Sequence, residues 1–404
     1  MSMPGPLPVG LSWEGSFPKF RNFDRNKTWH AYVHVPFCEV RCGYCDFNTY
    51  TAEEVQGVKR SEFDQSLTEE IRLAAERLKA QEISSKSFQT VFFGGGTPSL
   101  FSPGQISRVL AGLRENFGIS DDAELTMELN PDTVDEHYLQ QVAELGINRV
   151  SIGAQSFDPE VLKVLDRTHN PENVELAVGW AKKAGLQVSL DLIYGAPGES
   201  LESWRKSLHQ ALSMNPDHLS AYALIVEQGT KLARQISKGI YTQPDDDLMA
   251  DKYALLEEMT SQSGLNWYEL SNFSRGEGTK SVHNSGYWKS NYWYGFGPGS
   301  HSYIGDVRFW NRKHPAAYSD SLARGLPIQA YELIDEQDHM QERLLLEIRM
   351  SDGIDPDLIR KLSISDEALR EQIEFGYFKE QDGNFVLTLK GRQMADRVVL
   401  NLLN

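Results

Sequence analysis

An α/β fold, with a parallel sheet covered by helices, is what this 404-residue sequence predicts, and three observations predict it. From residue 30 onward, apolar β-rich runs alternate with helical patterns, the order that yields parallel strands joined by crossover helices. The junctions carry matching punctuation: Ser102-Pro103 ahead of one helix, Gly146 and Gly185 behind two others. Polar or glycine-rich residues follow the strands' carboxyl ends, where parallel α/β architectures bind their ligands.

Strands are expected at 31–36, 90–93, 124–128, 149–152, 187–193 and 218–225, with helices at 59–79, 103–117, 134–145, 171–184 and 201–213. The first strand runs into the cysteines and the second into Gly94-Gly95-Gly96-Thr97-Pro98. The third ends at Glu128-Leu-Asn130-Pro131, and the fourth leads to Gly153-Ala-Gln155. The fifth contains Asp191 ahead of Tyr194-Gly195-Ala-Pro197-Gly198. Five separate segments therefore converge on one edge. About six such units suit either a doubly wound sheet or an incomplete barrel, and periodicity does not choose between them.

A further helix is expected at 245–261, after which the texture changes. Residues 264 to 312 are rich in aromatics and glycine, as in Tyr292-Trp293-Tyr294-Gly295-Phe296-Gly297-Pro298-Gly299-Ser300-His301. A third texture begins near Asp335, with helices expected at 340–349, 356–362 and 366–375. A short strand pair around Asp382-Gly383, its second strand at 384–389, and a closing helix at 391–403 complete a winged-helix-like unit. The chain thus divides into an arm over 1–28, a core over 29–263, an aromatic extension over 264–334 and a small C-terminal domain over 335–404.

Composition is that of an ordinary globular protein, 40% hydrophobic and 24% charged, long enough for one large domain and a smaller one. Lys+Arg 40 against Asp+Glu 57 gives −17, which disfavours non-specific binding to nucleic acid or anionic membranes. Basic residues do not dominate the winged-helix-like unit either, so no nucleic-acid partner is expected. No apolar run approaches the ~18 residues of a membrane span. The first 28 residues carry Pro4, Pro6, Pro8 and Pro18 and lack the basic start and apolar core of a signal peptide. An irregular arm, packed through Trp13 and Phe17, is expected there. Free cysteines without an export signal point to a reducing cytoplasm.

All three cysteines lie within Cys38-Glu-Val-Arg-Cys42-Gly-Tyr-Cys45. An odd number cannot pair off into disulfides. Structural zinc takes four ligands, commonly as two C-x2-C pairs, and on spacing alone it remains a rival. A cubane [4Fe–4S] cluster needs one ligand per iron, so three cysteines leave the fourth iron open or held by something else. The α-amine and α-carboxylate of an amino acid form a natural five-membered chelate for it.

C-x3-C-x2-C after a first strand resembles the radical S-adenosylmethionine superfamily, whose reduced cluster cleaves the bound sulfonium to methionine and a 5′-deoxyadenosyl radical. Tyr32-Val-His34-Val-Pro36-Phe37-Cys38, the turn at 94–98, Glu128-Leu-Asn-Pro131, Gln155 and Asp191-Leu-Ile-Tyr-Gly195 together resemble the oxygen-independent coproporphyrinogen III oxidase group. That likeness runs from residue 29 to about 310 and on into the C-terminal unit. It implies a partial, TIM-like (β/α)6 barrel with a cluster on Cys38, Cys42 and Cys45 at its top. It also implies that Tyr32, Gly95 and Glu128 neighbour the cluster-bound S-adenosylmethionine, the glycines letting backbone amides approach without a Cβ. Tyr44, Gly96, Thr97, Gln155, Arg167 and Asp191 match positions that contact a second S-adenosylmethionine in the oxidase.

The oxidase pattern continues to a fourth cysteine, C-x3-C-x2-C-x-C; here that place is Phe47, neither a ligand nor a redox group. C-x3-C-x2-C-x-F resembles instead the HemW-type heme chaperones, and His283-Asn-Ser-Gly-Tyr287-Trp288 resembles their HNxxYW motif. This implies heme as ligand, heme-acceptor proteins as partners and His283 as a heme contact, with His301 a second candidate. Imidazole suits heme iron, and aromatic walls suit the macrocycle. His34, on the strand ahead of the cysteines, is expected to be structural or to position the cofactor. The rival from the same residues is an enzyme, oxidatively decarboxylating coproporphyrinogen III to protoporphyrinogen. A homodimer is compatible with either.

Overall fold

Strict alternation along the central strands decides the architecture of this computed structural model, which describes residues 10–83 and 87–403. Pro4, Pro6 and Pro8 of the expected arm lie outside those residues. The core strands are β1 (Trp29–Val35), β2 (Phe88–Gly95), β3 (Ile119–Leu129), β4 (Arg149–Gln155), β5 (Gln187–Tyr194) and β6 (His218–Ala223). In β1, Ala31, Val33 and Val35 point one way and are fully buried, while His30, Tyr32 and His34 point the other. The parallel register carries this pattern across the sheet: Tyr32 pairs with Phe92, Phe92 with Thr126, and Glu128 with Ser151. One face is therefore apolar and covered; the other is polar.

Crossover helices cover the apolar face. They are α1 (Phe63–Ala80), α2 (Pro103–Asn116), α3 (Glu136–Glu144), α5 (Pro171–Lys183) and α6 (Leu201–Ser213), with the short α4 (Pro159–Val164) between α3 and α5. Leu67, Ile71, Ala74 and Leu78 on α1, spaced three and four apart, form a stripe of zero to 1% exposure. Ser102 and Gln105 close a reciprocal capping box at the start of α2, with Pro103 in its first turn. The expected helix at 59–79 starts later, at Phe63, because Glu54–Val55 and Val58–Lys59 form a small hairpin that takes up Lys59. The expected helix at 134–145 starts at Glu136, because the Asp135 side chain caps it by accepting from the Tyr138 amide.

The aromatic segment lengthens the sheet. It supplies β7 (Asn266–Glu269), β8 (Asn272–Ser274), β9 (Tyr292–Phe296), β10 (His301–Ile304) and β11 (Val307–Asn311), with β12 (Ile328–Leu333) following. Beyond the six expected units, β9 adds a seventh parallel strand on the far side of β1, pairing Tyr294 with Ala31. The whole runs Leu11–Ser12, β12, β11, β10, β9, β1, β2, β3, β4, β5, β6, β8, β7, and its two end strands do not meet. It is a partial barrel, with the helices outside.

Two short helices, α7 (Lys231–Ser237) and α9 (Val282–Trp288), lie either side of the long α8 (Asp246–Gln262). The C-terminal part contains α11 (Glu336–Glu347), α12 (Pro356–Lys361) and α13 (Asp366–Glu374), after α10 (Pro315–Leu322). A strand pair, β13 (Phe378–Gln381) and β14 (Asn384–Leu387), follows. These pack Leu344, Ile348, Leu358, Phe378, Leu387 and Val398 into a core of their own. The helix expected at 391–403 is two, α14 (Leu389–Gln393) and α15 (Ala395–Leu403), parted at Met394. The Arg392 guanidinium lies 4.1 Å from the Trp267 ring centre and 2.8 Å from Glu257, which ties this part to the barrel. No helix among the described residues is long and apolar enough to cross a membrane.

Candidate functional site

The polar face of the sheet lines a water-accessible hollow. Tyr32, Phe92, Glu128, Ser151 and Asp191 all keep accessible surface, while Val33, Val91, Met127 and Val150 on the opposite face are fully buried. Glu128 accepts a hydrogen bond from the Gly95 amide at 3.0 Å. Burial, with the Asp191 charge adding to it and the Gly95 amide opposing, pushes Glu128 up to about 7. Burial and the Glu128 charge hold the Tyr32 and Tyr287 phenols above their usual range. Ser151 Oγ lies 2.8 Å from each Asp191 oxygen, fixing that carboxyl in place.

The glycine turn is held against β1 by more than the needs of a cofactor. The Gly96 and Thr97 amides donate to the Val35 and Phe37 carbonyls at 2.8 and 2.7 Å. Gly95 has φ +112°, and a Cβ there would stand 2.4 Å from the His34 ring. At Gly96 a Cβ would stand 2.5 Å from the Phe37 carbonyl oxygen. His34 bridges two segments: its Nε2 lies 3.0 Å from the Asn48 carbonyl and its Nδ1 lies 3.1 Å from the Tyr32 hydroxyl. A carbonyl only accepts, so Nε2 carries the proton and Nδ1 accepts from Tyr32. Asn48 in turn donates to the Pro298 and Lys313 carbonyls at 2.9 and 2.7 Å, and Glu70 accepts from the Gly297 amide at 2.7 Å. The end of the cysteine loop is thereby anchored to the loop after β9.

The cysteine loop itself is pinned by its backbone. The Cys38 amide donates to the Tyr50 carbonyl at 3.0 Å and the Cys45 amide to that of Cys42 at 3.2 Å. Gly43 exchanges with segments that follow β4 and β6, its amide donating to the Leu165 carbonyl and its carbonyl accepting from the Leu232 amide in the first turn of α7. Arg167 donates to the Gly153 carbonyl at 2.7 Å and reaches Cys42 Sγ at 3.5 Å, its Nε having no partner among the described residues. All three thiols are half-buried, and burial pushes Cys45 up to about 12. A Cys45 thiolate therefore needs a strongly cationic partner, which iron would supply. Among the described residues no three His, Cys, Asp or Glu side chains gather around the place of one metal ion. A cubane cluster asks something different of them, one thiolate for each of three irons. The donor set fits that cluster.

Most of the sequence-derived site residues meet on this edge: Tyr32, Gly95, Gly96, Thr97, Glu128 and Asp191 around the hollow, Tyr44 and Arg167 beside the cysteines. Tyr44 also packs against the buried cluster of Ile193, Leu224 and Leu232. Gln155 sits at a bulge between β4 and β5 with φ +62°, the left-handed region that a side chain adopts at a cost. His301 stands apart on β10, stacked on Trp310. His283 lies on α9, deeper and towards the strands' amino ends, 3% exposed and stacked on Phe92. Its two ring nitrogens lie 2.6 Å from Thr90 Oγ1 and 2.9 Å from the Tyr287 hydroxyl. Glu124 accepts from the Val282 and His283 amides at 2.9 Å each and so anchors the first turn of α9. Sequence reasoning misses Ser151 and Thr90; the signal for both is their even spacing from Gly153 and Phe92 along the same strands.

Three carboxyls, those of Glu70, Glu128 and Glu269, are each pushed up to about 7, in every case chiefly by removal from water. An unfolded glutamate titrates near ~4.3. Between those values the fold holds protons that the unfolded chain has lost. The contribution is present below the unfolded value and disappears as pH rises through about 7. Burial holds His30, His34, His169, His218, His283, His301 and His339 below their usual value, an opposite contribution that weakens the fold as pH falls from 7.5 to 5.5, so the carboxyl share is read by difference. In cluster-free protein the melting temperature of Glu269→Gln relative to the parent is expected to be higher at pH 7.5 than at pH 5.5, as calorimetry at the two values checks.

Residues 32–211 match the model of the radical SAM superfamily. The chain is 41% identical over 375 residues to the heme chaperone HemW of Mycobacterium tuberculosis, covering 92% of this chain and 94% of that protein. It is 30% identical over 377 residues to the heme chaperone HemW of Bacillus subtilis, covering 91% and 97%. Among solved structures it is similar to coproporphyrinogen III oxidase HemN of Escherichia coli, a radical SAM enzyme, with a TM-score of 0.78. That likeness covers 93% of this chain and 90% of the other at 22% identity, so what it shows is the shared fold.

Proposed function

We propose that this chain, which belongs to the HemW family of radical S-adenosylmethionine proteins, binds heme and passes it to acceptor proteins. The observation that carries the reading is Phe47, two residues after Cys45, where the related oxidase pattern has a fourth cysteine. Its ring is 38% exposed at the rim of the cysteine loop and supplies neither a metal ligand nor a transferable hydrogen.

Cys38, Cys42 and Cys45 would hold a [4Fe–4S] cluster, and Tyr32, Gly95 and Glu128 the S-adenosylmethionine on its open iron. A second molecule would meet Tyr44, Gly96, Thr97, Gln155, Arg167 and Asp191. When bound, the pair supplies one-electron reduction of the sulfonium to a carbon radical. The chain's own residues orient and shield. The Gly95 amide and Glu128 fix a donor and an acceptor 3.0 Å apart at the edge of the hollow, and Arg167 places positive charge beside Cys42. The His34–Asn48 contact holds Tyr32 in register with the cysteine loop.

The heme contact is assigned to the motif on α9. His283 would touch iron only by giving up one of its two present hydrogen bonds, to Thr90 or to Tyr287. The test is a titration of the reconstituted protein with heme, followed by mixing with an apo-hemoprotein. One heme per chain and its transfer to the acceptor are the expected results; failure to take up heme contradicts the proposal. A His283→Ala protein with an unchanged heme spectrum takes that residue off the ligand list.

A further inference from the structure

Of the His283 and Tyr287 rings on α9, only the second reaches the hollow. Tyr287 keeps accessible surface and faces Glu128 and Tyr32, whereas His283 behind it is 3% exposed. From the Tyr287 hydroxyl a hydrogen-bonded chain runs away from the hollow. It passes to His283 Nε2 at 2.9 Å, from His283 Nδ1 to Thr90 Oγ1 at 2.6 Å, and from Thr90 Oγ1 to His30 Nδ1 at 2.9 Å. It ends from His30 Nε2 to Thr28 Oγ1 at 2.9 Å, and Thr28 is half-buried at the amino end of β1. Thr90 is fully buried and His30 is 3% exposed.

Donor counting fixes how such a chain behaves. A neutral imidazole has one N–H and one bare nitrogen, and the Thr90 hydroxyl has one proton for two imidazole neighbours. Burial keeps both imidazoles neutral, pulling His30 down to about 4 and His283 well below its usual value. One imidazole must therefore donate to Thr90 and the other accept from it. If Tyr287 donates to His283, then His283 donates to Thr90, Thr90 to His30, and His30 to Thr28. Reversing every bond gives the other consistent arrangement. Passing from the first to the second moves one proton from the Tyr287 end to the Thr28 end. Tyr32, a second phenol of the hollow, has no such exit among the described residues. Its partner His34 spends its one N–H on the Asn48 carbonyl, which cannot pass a proton on.

We infer that Tyr287, rather than His283, is the residue of this motif that meets the iron of bound ferric heme, as a phenolate whose proton leaves through His283, Thr90, His30 and Thr28. This rests on the heme-binding reading above. On ligation the Tyr287 O–H bond breaks and an oxygen–iron bond forms. The phenolic proton goes to His283 Nε2, and the Nδ1 proton of His283 goes to Thr90. The same shift through His30 and Thr28 releases one proton to solvent. Iron stays ferric and no electron moves. Tyrosinate is an established axial ligand of heme iron, and its charge offsets that of the ferric centre.

The test is a titration of the full-length, cluster-reconstituted protein with ferric heme, read by optical and electron paramagnetic resonance spectra, with rapid mixing for the rate. The wild type is expected to give a high-spin ferric signal with a phenolate-to-iron charge-transfer band. Tyr287→Phe is expected to lose that band. Thr90→Val, which keeps the side chain's outline and cuts the chain of hydroxyls, is expected to keep the band but form it about ten-fold more slowly or worse. That is a modest share of the ~10²–10⁴ a positioned base supplies. A band that survives in Tyr287→Phe overturns the inference, as does a low-spin, two-nitrogen signal in the wild type, and both leave heme binding intact. A protein that takes up no heme overturns the heme-binding reading itself.

Discussion

Serine in place of Cys42 is expected to abolish the iron–sulfur cluster, with bound iron falling from about four per chain to near zero. Three thiolates on a four-iron cluster leave no redundancy, and the chain has no other cysteine to recruit. A serine hydroxyl neither ionises readily nor offers the soft sulfur that iron–sulfur clusters select. The loop has little freedom to compensate, since Gly43 is hydrogen-bonded on both sides, to Leu165 and Leu232. Cys38→Ser and Cys45→Ser are expected to behave alike, whereas His301→Ala, stacked against Trp310 away from the hollow, leaves the iron content unchanged. Iron and sulfide analysis after anaerobic reconstitution checks this; a full cluster on any of the three serine variants would contradict it.

Alanine at position 95 is expected to disable S-adenosylmethionine binding and to destabilise the fold by about 2–4 kcal/mol, two costs adding. At φ +112° an L-residue is strained whatever the space around it. The new Cβ would also stand 2.4 Å from the His34 ring, which is fixed by Tyr32 on one side and Asn48 on the other. Relief by moving His34 displaces Tyr32; relief by moving the turn takes the Gly95 amide off Glu128. Either way affinity for S-adenosylmethionine is expected to fall by roughly ten-fold or more, about 1.4 kcal/mol. Gly179, exposed on α5 with no described atom outside the helix's own backbone within 4 Å of where a methyl would stand, is the control: Gly179→Ala is expected to stabilise by about 0.5–1 kcal/mol. Equilibrium binding and denaturation on the two variants separate these outcomes.

Much of the fold and site is legible in the sequence, for physical reasons that also mark the limits. The six core strands are β-rich runs ending in glycine or polar residues, and the three cysteines are too closely spaced to be independent. β9 escapes because Tyr292-Trp-Tyr-Gly-Phe reads as aromatic texture, and only pairing with β1 makes it a strand. The triple glycine reads in sequence as room for a cofactor; the His34 ring and the Val35 and Phe37 carbonyls already exclude a side chain at Gly95 and Gly96. Thr90 and His30 carry no motif at all. Their significance comes from His283, 193 positions beyond Thr90, which the fold brings to 2.6 Å.

The most direct measurement is an anaerobic incubation of the reconstituted protein with S-adenosylmethionine, a reductant and coproporphyrinogen III, with heme uptake followed on the same preparation. With Phe47 where the oxidase pattern has cysteine, the expected result is one heme bound per chain and no protoporphyrinogen formed. Protoporphyrinogen accumulating over repeated turnovers would contradict the account.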